Sequence, residues 1–150
     1  MHQFDLKNKT AVITGGAQGF GLDIAKKFLS SGCKVFIWDI DEKELIKATK
    51  EINNSNLNYN VVDIANFDQV QKVVSDITLK NKIDILINNA GITGPTAELW
   101  NYNIKDWNSI ININLHGTFY CCKLIVPHMI KNNYGRIVNI ASVAGKDGNA

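Results

Sequence analysis

Three features of the sequence predict a doubly wound α/β fold, a parallel sheet covered by helices on both sides. Five short strand-like runs alternate with longer amphipathic stretches of helical period. Several of those runs are apolar on both faces, as buried parallel strands are, where half-exposed antiparallel strands would alternate. The stretches between them are long enough for right-handed crossovers.

The first run is Thr10–Thr14 (TAVIT), followed by the glycine-rich turn Gly15–Gly21 and a helical stretch near residues 19–31. Lys34–Trp38 (KVFIW) leads into a helix near 41–53, and Asn58–Val62 (NYNVV) into one near 66–80. Asp84–Asn88 (DILIN) ends in a second turn, Gly91–Pro95, before a helix over about 105–132 and the last run, Arg136–Ile140 (RIVNI). The asparagines of Asn53–Asn60 favour turns, so that stretch reads as a polar helix end and loop. With no repeat or linker, residues 1–150 read as one domain.

The long helix is apolar on two sides, one track being Ile110, Ile113, Gly117, Cys121 and Leu124, the other Ile111, Leu115, Cys122 and Val126. A surface helix needs one such stripe. The second predicts a homo-oligomer formed through residues 105–131, the alternative being a helix buried within one subunit.

Composition narrows the function. At 150 residues, 45% hydrophobic and 20% charged with net charge +2, the chain is an ordinary globular domain and not a disordered one. Its longest apolar runs, such as Lys123–Ile130, are broken by Lys, Pro or His well short of a membrane span, and Met1–Lys9 has no leader-like apolar stretch. Sixteen basic against fourteen acidic residues without a cluster leave no footprint for nucleic acid or anionic lipid. The three cysteines lack metal spacing and suit a reducing, cytoplasmic setting; His116 and His128 have no companion ligands, so no metal is expected. Small-molecule chemistry is what remains.

The strongest local signal is Thr14-Gly15-Gly16-Ala17-Gln18-Gly19-Phe20-Gly21, between the first strand and the first helix. Glycines there permit positive φ, let backbone approach a pyrophosphate, and pack helix on strand, while the helix N-terminus offers N–H groups to phosphate charge. The spacing Gly-x-x-x-Gly-x-Gly departs from the common dinucleotide fingerprint and is weak evidence by itself. Asp39 strengthens it. The residue ends the second strand, eighteen residues past Gly21, where a Rossmann fold places the carboxylate that accepts from the adenosine ribose. A solvated carboxylate or a helix cap before Asp41–Glu42 is the alternative. A 2′-phosphate about 4 Å from this carboxylate would be repelled by roughly 4 kcal/mol per charge pair at an effective dielectric of 20. Gln18 and Ile40 supply no compensating cation, so NAD is expected over NADP.

Asp63 follows the third strand, Asn88-Asn89-Ala90-Gly91 the fourth, and Ser142 in Ile140-Ala141-Ser142-Val143-Ala144-Gly145 the fifth. Taken with the glycine turn and Asp39, these make the chain resemble the short-chain dehydrogenase/reductase family over essentially its whole length. The flavour is that of 3-oxoacyl carrier-protein reductases and of sugar or sugar-acid dehydrogenases. The resemblance implies that Gly15, Gln18, Gly19, Phe20, Gly21, Asp39 and Ile40 serve the cofactor, with Asp63 and Ile64 at the adenine and Asn88, Ala90 and Gly91 along its border. For Asn88 and Asn89, amides that satisfy backbone groups beneath the cofactor are an equal alternative. It implies a water-holding role for Asn114 and a substrate-orienting role for Ser142, which is no nucleophile because no Gly-x-Ser-x-Gly elbow surrounds it.

The family's acid–base tyrosine and its lysine partner fall beyond Ala150, and Tyr134 cannot substitute because it precedes the fifth strand. The expectation is therefore the N-terminal part of an NAD-dependent oxidoreductase that interconverts a secondary alcohol and a ketone, its C-terminal strand units missing and the 150-residue chain nearly inactive. A non-catalytic dinucleotide-binding module or subunit is the competing function. Ile92–Trp107, with Trp100 and Trp107, and Gly145–Asn149 are candidates for the substrate pocket; Lys146 reads as an anion contact or, more simply, as an exposed lysine.

Overall fold

The structure, a computed structural model, describes residues 5–147. Part of the leader reading of Met1–Lys9 and the end of the Gly145–Asn149 loop lie outside the described residues. Five parallel strands form one sheet in the order β3-β2-β1-β4-β5. They are β1 (Thr10–Thr14), β2 (Lys34–Asp39), β3 (Leu57–Val61), β4 (Ile85–Asn88) and β5 (Arg136–Asn139). The doubly wound expectation holds, with strand ends moved by a residue: Asp84, Val62 and Ile140 fall just outside, while Asp39 and Leu57 fall inside.

The crossovers are α1 (Gly19–Ser30), α2 (Glu42–Ile52), α3 (Phe67–Thr78) and a long rod made of α4 (Ile104–Ile110), a π-helical segment Ile111–Gly117 and α5 (Thr118–Lys131); a short α6 (Ala144–Asp147) follows β5. Alternation of side chains along β1 and β2 divides the core. Ala11, Ile13, Val35 and Ile37 face α1 and α2, packing on Ala25, Leu29, Leu45 and Ala48. Val12, Phe36, Trp38 and Leu86 face α3 and α5, packing on Val70, Val74, Cys121 and Ile125. Each fully buried aliphatic side chain in these layers contributes about 1.5–3 kcal/mol of transfer free energy.

Two expectations need correction. First, β3 is not apolar on both faces: Asn58 and Asn60 alternate with Leu57, Tyr59 and Val61, as suits an edge strand, and this part of the Asn-rich stretch is strand and not loop. Second, the long helix is not uniform. It contains the π-helical segment Ile111–Gly117, and the track against the sheet is Gly117, Cys121, Ile125 and Met129, running in steps of four through α5, with Leu124 packing only at the margin. At the edge of the sheet, β5 is exposed along its length, with Ile137 and Val138 at 40% and 46%, whereas all five residues of β1 are buried.

Candidate active site

The strand order reverses direction between β1 and β4, and ligands of open α/β sheets bind outside the carboxyl ends of the strands at that point. A cavity of about 370 Å³ lies there, lined by Gly15, Gln18, Trp38, Asp39, Ile40, Val62, Asp63, Ile64, Asn89, Ala90, Gly91, Ile92 and Ile113. Eight of the residues predicted for a nucleotide, Gly15, Gln18, Asp39, Ile40, Asp63, Ile64, Ala90 and Gly91, thus converge from four separate connections. Gly19, Phe20, Gly21 and Asn88 do not line it.

The glycine turn is fixed by contacts that forbid side chains. Gly15 takes a φ of +62°, and a Cβ there would stand 2.9 Å from Ala90 Cα. At Gly21 a Cβ would collide with the Gly15 carbonyl oxygen. Gly19, by contrast, has φ of +54° and nothing within 4 Å of an added Cβ, so its face is open. Phe20 beside it is 79% exposed.

Helix termini sharpen the picture. α2 is capped by Asp41, whose Oδ1 accepts from the Lys43 and Glu44 N–H groups, and α3 by Asn66, whose Oδ1 accepts from Gln69 N–H. The residue ahead of α1, Gln18, makes no such cap. The N–H groups of the first turn of α1 therefore lack both an intrahelical partner and a side-chain cap. The capping role considered for Asp39 belongs to Asp41; the Asp39 carboxylate instead accepts from Ala17 N–H and Asp41 N–H, each at 3.2 Å.

The β4 turn braces the other side. Asn89 Nδ2 donates to the carbonyls of Thr14 and Gly15, both at 3.0 Å, and Thr14 Oγ1 accepts from Asn89 and Ala90 N–H at 3.1 and 3.0 Å. Asn88 is buried, with Nδ2 donating to Asn139 Oδ1 at 2.8 Å and lying 3.4 Å from Cys122 Sγ. Asp63 Oδ1 accepts from Ala65 N–H, while the Asp63 N–H donates to Gln69 Oε1. Thr14 and Gln69 are positioning residues that motif reading missed, while Ile92, from the stretch expected beside the substrate, lines this cavity. The signal of the first two lies in hydrogen bonds across the chain, and only Gln69, one turn into a helix after an Asp, has a local trace in the sequence.

Asn114 sits in the π-helical segment. Its amide pairs reciprocally with the backbone of Ile92, Oδ1 accepting from N–H and Nδ2 donating to C=O, both at 2.9 Å. The partner that an amide on this helix required is thus the loop after β4, and the side chain staples that loop to the helix. Ser142 is exposed beyond β5, its Oγ accepting from Ala144 N–H at 3.2 Å, which leaves the hydroxyl proton directed elsewhere. Neither Asn114 nor Ser142 lines the cavity. Tyr134 lies at the opposite end of the sheet, its ring 3.7 Å from Lys9 Nζ. Trp100 is exposed and Trp107 stacks edge-on with Tyr102. Asn112 is exposed and pairs with His116 at 3.1 Å. Burial pushes the Cys33 thiol up to about 11 and the Cys121 thiol to about 12.

The cavity suits a dinucleotide chemically: it is lined by carboxylates, by Gly15, by Gln18 at the uncapped start of α1 and by an apolar flank of Val62, Ile64 and Ile113, with the open face of Gly19 next in the chain after Gln18. Among the described residues no group of three or more His, Cys, Asp or Glu is placed to hold a metal ion, and no helix is long and apolar enough to cross a membrane.

The site and sheet belong to a class of protein whose family model, short chain dehydrogenase, matches residues 9–150. The chain belongs to the short-chain dehydrogenase family. It is 39% identical over 142 residues to a 2-dehydro-3-deoxy-L-rhamnonate dehydrogenase (NAD(+)) of Sphingomonas sp. (strain SKA58), covering 94% of this chain and 56% of that protein. It is 37% identical to the 3-oxoacyl-acyl-carrier-protein reductase FabG of Chlamydia pneumoniae, covering 97% of this chain and 59% of that one. An NAD+-bound xylitol dehydrogenase superposes with a TM-score of 0.91 at 31% identity, over 97% of this chain and 57% of its own. The chain spans a little over half the length of these relatives.

Proposed function

We propose that residues 1–150 are the nucleotide-binding domain of a longer NAD-dependent oxidoreductase that interconverts a secondary alcohol and a ketone. The observation that carries the reading is the convergence of Asp39, Gln18 at the uncapped start of α1 and the Asp63–Ile64 turn on one cavity. Two lone-pair positions of the Asp39 carboxylate are taken by backbone N–H groups, leaving acceptors for ribose hydroxyls. A 2′-phosphate would meet that charge with only Gln18 and Ile40 alongside, which supports NAD over NADP. Gly19, Phe20 and Gly21 serve the pyrophosphate through the first turn of α1, Asp63 and Ile64 the adenine, and Ala90 and Gly91 the wall. Asn88 contributes by tying β4 to Asn139 of β5.

The nicotinamide supplies hydride acceptance or donation when bound. Ser142 offers a hydroxyl proton toward a substrate oxygen, and Asn114 holds the Ile92 loop at the site. Proton transfer falls to a tyrosine and lysine carried beyond Ala150, so the 150-residue chain alone turns over little or not at all. A small alcohol or ketone is the partner, with sugar acids and 3-oxoacyl thioesters, the substrate types named for the relatives, the first to assay. Free thiols at Cys33, Cys121 and Cys122 support a reducing, cytoplasmic setting.

A homo-oligomer through the α4–α5 rod belongs to the same reading. Ile104, Trp107, Leu115 and Phe119 are exposed along it at intervals of three, eight and four residues, and Ile130 continues the apolar surface. Sedimentation of the full-length protein is expected to show a dimer or larger; a monomer at micromolar concentration contradicts it. The catalytic reading is tested by assaying the full-length protein on sugars, sugar acids and 3-oxoacyl thioesters with NAD and NADP separately. Cofactor binding without turnover on any of them would favour the non-catalytic module.

A further inference from the structure

We infer that Asp39 is a positioning residue for the glycine-rich loop as well as a ribose acceptor, so that one carboxylate sets both the seat of the pyrophosphate and the choice of cofactor. The inference rests on the reading of the cavity as a dinucleotide site.

The loop is held from two sides. Toward β4, Asn89 Nδ2 takes the Thr14 and Gly15 carbonyls. Toward β2, the next two N–H groups of the loop are spent: Gly16 N–H donates to the Trp38 carbonyl at 3.0 Å and Ala17 N–H to Asp39 Oδ2 at 3.2 Å. These two donors face β2 and are thus withheld from a phosphate, which leaves the first turn of α1 for that purpose. Ala17 is 2% exposed, so water cannot readily replace the carboxylate if it is removed. A donor stranded in that position is costly, and the relief available is movement of the loop. The other oxygen of the same carboxylate holds Asp41 N–H, at the residue that caps α2. Asp39 therefore couples the loop over α1 to the start of α2.

The consequence is a constraint on cofactor switching. Deleting the carboxylate removes repulsion toward a 2′-phosphate but also releases Ala17. Asparagine keeps nearly the same shape but one acceptor in place of two; its oxygen is expected on buried Ala17 N–H, since exposed Asp41 N–H can turn to water, and so it separates the two effects at the loop.

The test compares Asp39→Asn and Asp39→Ala in the full-length protein. Amide hydrogen exchange without cofactor reads the loop directly, and titration with NAD and NADP reads the site. Exchange at Ala17 is expected to speed up about tenfold or more in Asp39→Ala and clearly less in Asp39→Asn. NAD affinity falls in both variants, about tenfold further in Asp39→Ala, and NADP binds more tightly to Asp39→Asn than to Asp39→Ala. Unchanged Ala17 exchange in Asp39→Ala, or NADP affinity in Asp39→Ala equal to or above that of Asp39→Asn, overturns the inference. If Asp39→Ala does not fold, Asp39→Asn with Ala17 exchange as slow as wild type and weakened NAD binding still supports it, and fast exchange in Asp39→Asn overturns it. Wild-type protein that binds neither cofactor, while Asp39→Ala speeds Ala17 exchange, refutes the dinucleotide reading and leaves the loop contact standing.

Discussion

The two sides of the sheet differ in how far they are finished. On the β1–β2 side, every residue of β1 is buried, the loop after it is braced by Asn89 and Asp39, and each helix packs on a filled layer. On the β5 side, the strand is exposed on its faces, and Ser142 stands in solvent with one hydrogen bond to its own turn. The nucleotide side is determined by contacts that are all within these residues. On the β5 side the Ser142 hydroxyl is oriented only by Ala144 of its own turn among the described residues, and the proposal assigns its further neighbours to chain beyond Ala150.

The largest effect that would break this comparison is a methyl group at Gly21. Gly21→Ala drives Cβ into the Gly15 carbonyl, and is expected to cost about 3 kcal/mol or more and to abolish NAD binding, by denaturant titration and calorimetry. Thr14→Val removes the acceptor for two N–H groups of the β4 turn and should cost about 2–3 kcal/mol, whereas Ser142→Ala should change stability by less than about 0.5 kcal/mol while lowering turnover of the full-length enzyme. An equal cost for the two would erase the distinction between the sides.

Cysteine chemistry sharpens it further. Cys33 and Cys121 are buried and their thiols lie well above the ordinary range, whereas Cys122 is half-buried. A thiol reagent at pH 8 should label Cys122 first and the other two only on unfolding. A thiol whose folded value is raised binds its proton more tightly when native, so this contribution is complete below the unfolded value near 9 and is lost as pH rises toward 11 to 12. Stability should therefore fall over that alkaline window, and less steeply in Cys121→Ala than in wild type.

Much of this was legible in the sequence because it is local. The strands, the glycine turn and Asp39 announce themselves through period, composition and spacing. What was not legible depends on pairing across distance. Leu124 and Ile125 are equally good helical neighbours of Cys121, and only packing shows that Ile125 and Met129 meet the sheet. Asn114 turned out to be a staple on Ile92, and Thr14 a hub for the β4 turn, neither of which any spacing reveals.

The most direct test is side-by-side calorimetric titration of the full-length protein with NAD and NADP. Asp39 facing the cavity without a neighbouring cation predicts NAD tighter by at least about tenfold, and NADP affinity equal to or greater than that of NAD would contradict the account.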